Sequence, residues 1–398
     1  MKKKILFVME SLGIGGAEKS LVTLLSQIDY SKYEVDIFLF NKEGAFMELL
    51  PEEVNILNVP KDFEYFISST KKSLKYLINN KKVKLLLLKI IELGILSFNK
   101  FILGKEYIGW KYIRNSIKSL DKKYDVAIGF LEKKSIYFIT DKVKSKKKIG
   151  WIHVDYSKIE HNHKKDLHYF EQIDYIVTVS EHCRDVLRKE FPTCESKIKV
   201  IKNMISPKLI KNLSNQKVKF DKEFDRDSFM ICTVCRITPQ KGIINAVNCC
   251  EKLVNRGLKF KWIIVGDGSS RSEIQKVIDQ KKLNQVIKMI GARSNPYPYI
   301  KACDLYVQPS LYEGFGITVA EAKVLCKAII VSNIPEFTEQ IINGKTGLVY
   351  KNIDDMSDKI ENLITNDKER IKLERELMKI NMDNLNEIEK LQELFEEA

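Results

Sequence analysis

Residues 1–25, MKKKILFVMESLGIGGAEKSLVTLL, carry the reading that decides the fold. Lysines ahead of an apolar run imitate a secretory leader, but residues 5–9 are too short for its apolar segment and a glycine loop follows at once. The run reads as a buried strand, residues 13–16 as a tight loop, and the stretch from Ala17 as a helix. Outward from there the alternation continues through YEVDIFLF, DVAIGF, KIGWIHV and IDYIVTVS, each followed by an amphipathic stretch. Strands that alternate with helices in this way build a parallel sheet covered on both faces. The pattern then restarts with FMICTVCRI, KFKWIIVGDG, QVIKMIG, DLYVQPS and AIIVS. Two doubly wound α/β domains are therefore expected, and 398 residues suffice for both cores. The boundary falls near NMISP at residues 203–207, giving Rossmann-like domains over 1–205 and 206–379. The charged stretch after Asn366 reads as long helix, with about 380–398 able to pack back on the first domain. Ligands of such sheets bind beyond the carboxyl ends of the strands, so two domains facing across a cleft would line it with strand-end loops.

A composition of 44% hydrophobic and 30% charged residues is that of a globular protein without low-complexity tracts. Eight cysteines raise the question of zinc or disulfides. Cys232 and Cys235 lie on one strand at an odd offset, however, which sends their side chains to opposite faces. Buried reduced thiols in a reducing, cytoplasmic compartment are the expectation. The net charge of +14 is concentrated: residues 71–123 hold 14 lysines and arginines against three acidic residues. Within them VKLLLLKIIELGILSFNKFIL, residues 83–103, is apolar but broken by Lys89, Glu92 and Lys100, unlike a spanning helix. Two readings stand side by side: a helix half-sunk in an anionic membrane surface, and a helix pair packed on its own domain with solvated lysines outside. No nucleic-acid motif accompanies Tyr107, Trp110 and Tyr112, so nucleic acid is not an expected partner.

The chemistry concentrates in residues 308–321, QPSLYEGFGITVAE. A strand ends, Gly314 and Gly316 let the backbone approach a ligand, and a helix starting at Ile317 aims its free N–H groups at a phosphate. Glu313 stands in the loop, and Glu321 is suited to paired ribose hydroxyls. Taken singly, Glu313 is a turn residue and Glu321 a solvated helix residue. A second group, CRITPQKG, offers Arg236 and Lys241 ahead of Gly242, cations that would stabilise a diphosphate leaving group. Gly15 and Gly16 form a loop in which Glu18 replaces the third glycine of a dinucleotide fingerprint. His153 ends the KIGWIHV strand, and Ser180 reads as a helix N-cap. His161, His163 and His168 lack a matching carboxylate pattern, and no DxD-type triplet stands out.

These motifs resemble the large family of retaining GT-B glycosyltransferases of bacterial cell-surface polysaccharides, family 4. The carriers are GIGGAE (13–18), WIHVDY (151–156), RITPQKG (236–242), VGDG (265–268), EGFGITVAE (313–321) and IINGKTGLV (341–349), spread over almost the whole chain. The resemblance implies a GT-B fold and a nucleotide-diphosphate sugar, UDP-linked, as donor. It implies a hydroxyl of a lipid-linked saccharide as acceptor, in capsule, exopolysaccharide or lipopolysaccharide synthesis. The domain over 1–205 would bind the acceptor and that over 206–379 the donor, the enzyme lying peripherally on the inner face of the membrane. By matching position it implies that Arg236 and Lys241 bind the diphosphate and Glu321 the ribose. Glu313 would contact the sugar hydroxyls, and the backbone of Gly314, Phe315, Gly316, Ile317 and Thr318 the sugar and phosphates. Gly15 and Gly16 would approach the donor phosphate, and His153 the anomeric or C6 side of the sugar. Residues 291–299 would hold the base through backbone groups. It implies no metal and no cofactor beyond the nucleotide sugar, and a same-face route in which the leaving phosphate takes the acceptor's proton. Two rivals remain on the residues alone. A sugar-nucleotide epimerase can share the fold, and a non-catalytic partner subunit would lack Arg236, Lys241 or Glu313, all of which are present.

Overall fold

The first sheet grows from β1 (Lys3–Met9), wholly buried from Ile5 onward, which pairs in parallel with β2 (Tyr33–Leu39). A short β3 (Asn55–Ile56) edges one side. β4 (Lys123–Gly129), β5 (Lys144–Ile152), β6 (Tyr175–Thr178) and β7 (Ile198–Val200) extend the other. The resulting order is β3-β2-β1-β4-β5-β6-β7. The second sheet comprises β8 (Phe229–Val234), β9 (Phe260–Val265), β10 (Ile287–Gly291), β11 (Leu305–Gln308), β12 (Ala328–Ser332) and β13 (Leu348–Tyr350), in the order β10-β9-β8-β11-β12-β13. Every pairing between these strands is parallel. The computed structural model describes residues 1–98, 105–217, 228–384 and 386–397. Two units result, Met1–Met204 with Leu385–Ala398, and Ile205–Asn384.

Burial explains the strand patterns. In unit 2 Ile231 and Cys235 join one core, under the Ile243–Asn255 and Ile353–Thr365 helices, while Met230, Cys232 and Val234 join the other. The two cysteines do fall on opposite faces of the sheet, and burial pushes the Cys235 thiol up to about 12, far from the thiolate a metal needs. In unit 1 an aromatic cluster of Phe38, Phe40, Phe63 and Phe138 packs the sheet against its helices, with Phe38 and Phe138 stacked at 4.5 Å. Trp110 buries its ring there and donates its indole N–H to Asp141 at 2.8 Å. The strands absent from the sequence reading, β3 and β13, are edge strands of two and three residues, too short to show an alternation.

The long helix expected after Asn366 is broken instead. Helix Asp367–Met378 stops, and a second one, Asn386–Glu396, begins after a polar stretch. The side chain of Asn381 accepts from the Asp383 N–H at 3.0 Å, and that of Asn384 from the Ile205 N–H at 3.2 Å. The local bond of Asn381 offers the backbone an alternative to the helix, and that of Asn384 ties the break to the start of unit 2. The last helix then lies against the start of the chain. Ile388, Leu391, Leu394 and Phe395 are buried, Phe395 meets Tyr33 edge-on, and Lys147 donates to the Leu394 carbonyl at 2.7 Å. Glu387 accepts from the Lys202 N–H at 2.8 Å.

Deleting residues 385–398 removes four buried apolar side chains, worth together roughly 6 kcal/mol or more at about 1.5–3 kcal/mol each. Calorimetry of the shortened chain should show the transition of unit 1 lowered while that of unit 2 stays in place.

Candidate functional site

The order of the second sheet reverses between β8 and β11, so the loops that leave these adjacent strands diverge and open a crevice at their carboxyl ends. Both sequence motifs of this unit emerge there. The loop after β8 carries Arg236, a single 3₁₀ turn at Pro239–Lys241, and Gly242 with φ +62°. A Cβ on Gly242 would lie 2.0 Å from the Pro309 carbonyl oxygen, so glycine is required by backbone contact as well as by conformation. The loops are also bonded to each other. The Leu311 N–H donates to the Gln240 carbonyl at 2.8 Å, and the Gln240 side chain donates to the Tyr312 carbonyl at 2.9 Å.

Within this frame Lys241 and Glu313 form one unit. The ammonium donates to both carboxylate oxygens, at 2.7 and 2.6 Å, with both side chains largely out of solvent. Ser310 donates its hydroxyl to the same carboxylate at 2.7 Å and accepts from Gln308 at 3.0 Å, and Gln308 accepts from the Tyr306 hydroxyl at 2.8 Å. A polar chain thus runs from the middle of β11 to Lys241. Two of the three ammonium N–H donors point at Glu313, which leaves the third to be aimed by the pair. Arg236, by contrast, is exposed.

Gly316 takes φ +82° and caps helix Ile317–Val324, and Phe337 lies 2.5 Å from where a Cβ would stand. The Gln340 side chain ties down the Phe315 carbonyl, and Thr318 donates to Gln308 at 3.4 Å. Glu313, in the loop, and Glu321, in the helix, are both buried, so the solvated-helix reading of Glu321 does not describe it. Glu321 accepts from the Tyr297 hydroxyl at 3.0 Å, and burial first, then the Glu321 carboxylate, raise the Tyr297 phenol well above its ordinary range.

Unit 1 has its own reversal, between β1 and β4. Gly15 caps helix Gly16–Leu25, and Glu18 in its first turn folds its carboxylate back over that cap, 2.1 Å from where a Gly15 Cβ would be. The helix N-terminus therefore has an anion of its own at the loop expected to meet a phosphate. In the same unit a cavity of about 430 Å³ is lined by Glu10, Leu131, Glu132, Lys133, Lys134, Ser135, Ile159 and Glu160. No sequence signal marked it, because its residues come from three separate segments. Lys133 takes φ +64° there and donates to the Glu160 carbonyl at 2.6 Å, a strained residue of the kind that gathers at working sites.

His153 follows β5. Its backbone N–H donates to the Glu132 carboxylate at 3.2 Å, its ring lies 4.9 Å from Phe130 and stacks along Trp151, and both ring nitrogens are enclosed. Burial lowers its pKa to about 3, against the opposite pull of Asn203 and the Phe130 backbone. The ring is neutral, a hydrogen-bonding group and not a fixed cation. Ser180 caps its helix, accepting from the Cys183 N–H at 3.2 Å. His161 and His163 are turned to the carbonyls of Ile159 and Glu190.

Residues 214–379 match the family described as glycosyl transferases group 1. A glycosyltransferase of Methanocaldococcus jannaschii is 25% identical over 195 residues, 49% of this chain and 46% of that one. The N,N'-diacetylbacillosaminyl-diphospho-undecaprenol alpha-1,3-N-acetylgalactosaminyltransferase of Campylobacter jejuni is 36% identical over 118 residues, 29% of this chain and 31% of its own. The matched region thus spans less than half the length of these relatives. Anabaena HepE, solved with UDP and glucose, superposes over the full length of both chains with a TM-score of 0.70 at 17% identity, a likeness of fold.

Lys241→Met strands a buried carboxylate and should cost about 3–5 kcal/mol in urea denaturation, of which adding Glu313→Gln should recover at least about 1 kcal/mol. For His153, the unfolded ring takes up a proton below its ordinary pKa of 6.5 while the folded ring resists down to about 3. Its contribution is complete above pH 6.5 and is lost as the pH falls through that window. The stability of wild type should therefore fall with decreasing pH more steeply than that of His153→Phe, by about 1.4 kcal/mol per unit.

Proposed function

We propose, for a chain whose second unit carries a group 1 glycosyl transferase domain and whose fold is GT-B, that it moves a sugar from a UDP-sugar to a hydroxyl of a lipid-linked saccharide in the synthesis of a surface polysaccharide. The observation that carries this reading is the Lys241–Glu313 pair set between two glycine-bounded loops at the β8/β11 reversal. In this reading the diphosphate lies across the start of helix Ile317–Val324 at Gly314, Phe315, Gly316, Ile317 and Thr318. Arg236 and the third N–H of Lys241 reach its oxygens, and Glu321 takes the ribose hydroxyls. Glu313 aims Lys241 and meets the donor sugar.

The bond between the anomeric carbon and the β-phosphate oxygen breaks, its electron pair leaving with UDP. Negative charge then grows on the phosphate, where two fixed cations stabilise the transition state more than the ground state. The acceptor oxygen attacks from the face the phosphate has left, and its proton passes to a phosphate oxygen, so the configuration is retained. The alpha linkage in the Campylobacter relative's name is what retaining transfer from an alpha-linked nucleotide sugar yields. In this reading neutral His153 serves a hydroxyl of the donor sugar, and unit 1 takes the acceptor through the cavity of Glu10, Glu132 and Lys134. With two cations serving the leaving group, no metal and no cofactor is required. Eight free cysteines, seven of them buried, suit a reducing cytoplasmic compartment at the inner membrane face.

Incubation with UDP-sugars and a lipid-linked acceptor tests the reading. Transfer should survive EDTA, and Arg236→Ala should lose at least about 100-fold in turnover with an unchanged melting temperature, since this arginine is exposed. Conversion of the donor to an epimer without acceptor would establish the epimerase instead, and undiminished turnover in Arg236→Ala would remove the cation from the mechanism.

A further inference from the structure

Helix Val83–Phe98 is turned inside out with respect to water. Lys89 and Glu92 of this helix are both buried and pair at 2.8 Å, with the Lys89 ammonium 5.0 Å above the Phe66 ring. Leu85, Leu86 and Leu88 pack beside them on the core of unit 1. The opposite face carries Val83, Leu87, Ile90 and Ile91, spaced to form one helical stripe and exposed by 63, 56, 52 and 47%. Pairing these two charges inward leaves the outer stripe aliphatic, with exposed Lys84 at its border. Among the described residues no helix is long and apolar enough to cross a membrane, so the stripe is a surface feature. Of the stretch read from the sequence as one apolar segment, residues 99–103 lie outside the described residues.

The neighbouring helix, Thr70–Asn79, packs against this one and continues the surface in a different chemistry. Its outward residues are Lys71, Lys72 and Lys75, followed by Ile78, exposed by 59%, and Lys81 and Lys84 border the stripe. A ridge of ammonium groups therefore runs beside a ridge of aliphatic side chains. A second copy of the chain seated on this face by two-fold symmetry would set lysines against lysines or against bare aliphatic side chains, and neither pairing is complementary. A layer that is anionic outside and hydrocarbon beneath complements both ridges at once.

We propose that this face, Lys71, Lys72 and Lys75 with Val83, Leu87 and Ile91, seats the protein on an anionic lipid surface, the helix lying in the plane of the head groups. The proposal sharpens the membrane-face reading given above and is tested apart from transfer. The whole chain is mixed with phosphatidylcholine vesicles, alone or with about one third phosphatidylglycerol, and sedimented. Wild type should pellet with the anionic vesicles only, and less with rising salt. Leu87→Ser with Ile91→Ser should lower the partition coefficient at least about tenfold. Lys71→Gln and Lys75→Gln should lower it about fivefold each. All four positions are exposed, so melting temperatures and donor-induced stabilisation should match wild type. Wild type left in the supernatant, or sedimentation indifferent to Leu87→Ser with Ile91→Ser, would overturn the proposal. So would a dimer in light scattering that this double variant dissolves, which would assign the face to a second copy. Lipid binding as described in a protein that no UDP-sugar stabilises would leave this proposal standing and defeat the donor reading.

Discussion

The meeting of Lys241 with Glu313 in unit 2 depends on the close approach of Gly242 to Pro309. Two loops leaving neighbouring strands at a reversal of strand order diverge by default. Here they are brought backbone to backbone, so that side chains 72 residues apart in the chain, Lys241 and Glu313, meet at hydrogen-bond distance. The charge pair is stable in a nearly dry setting because its remaining valences are met: Ser310 on the carboxylate, Gln308 behind it, Tyr306 at the root. A buried pair of this kind adds little net stability over apolar packing. Its return is geometrical, since a flexible lysine becomes a cation with a fixed direction.

Much of this was legible in the chain before any coordinates. Strand runs bounded by glycines located the sheets, and the Glu313 and Glu321 pair in its glycine setting singled out the loop of the candidate site, because those features depend on local backbone chemistry. The union of Lys241 with Glu313 was not legible, for it is a tertiary contact with no local signature. Glu18 over the cap of the first helix was equally hidden, although its place three residues past Gly15 matches the acid of a capping box. The failure of the helix after Asn366 to continue had a readable cause in Asn381, Asp383 and Asn384, which charge periodicity outweighed. For the Val83–Phe98 helix, periodicity separates two faces but does not say which one turns to the core. Convention sends charges outward, and the inward pairing of Lys89 with Glu92 reverses it.

The two units handle electrostatics differently. In unit 2 Glu313 is paired with Lys241 and Glu321 accepts from Tyr297, while Arg236 is exposed. In unit 1 the corresponding reversal is lined by Glu10, Glu132 and Glu160 together with Lys133 and Lys134, a mixed surface suited to hydroxyls rather than to phosphate. His153 adds a neutral imidazole whose enclosure, not a nearby charge, sets its protonation state.

The docking of helix Asn386–Glu396 onto β1 and its neighbours has a consequence for biosynthesis. Chains emerging from the ribosome ordinarily fold their amino-terminal domain first. Here the amino-terminal sheet is made first but lacks a piece of its covering until residues 385–398 have been translated, whereas Ile205–Asn384 is one uninterrupted segment. The earlier-made unit therefore folds without its last helix and keeps Tyr33 and Lys147 uncovered until residues 385–398 arrive, a nascent surface for chaperones to guard.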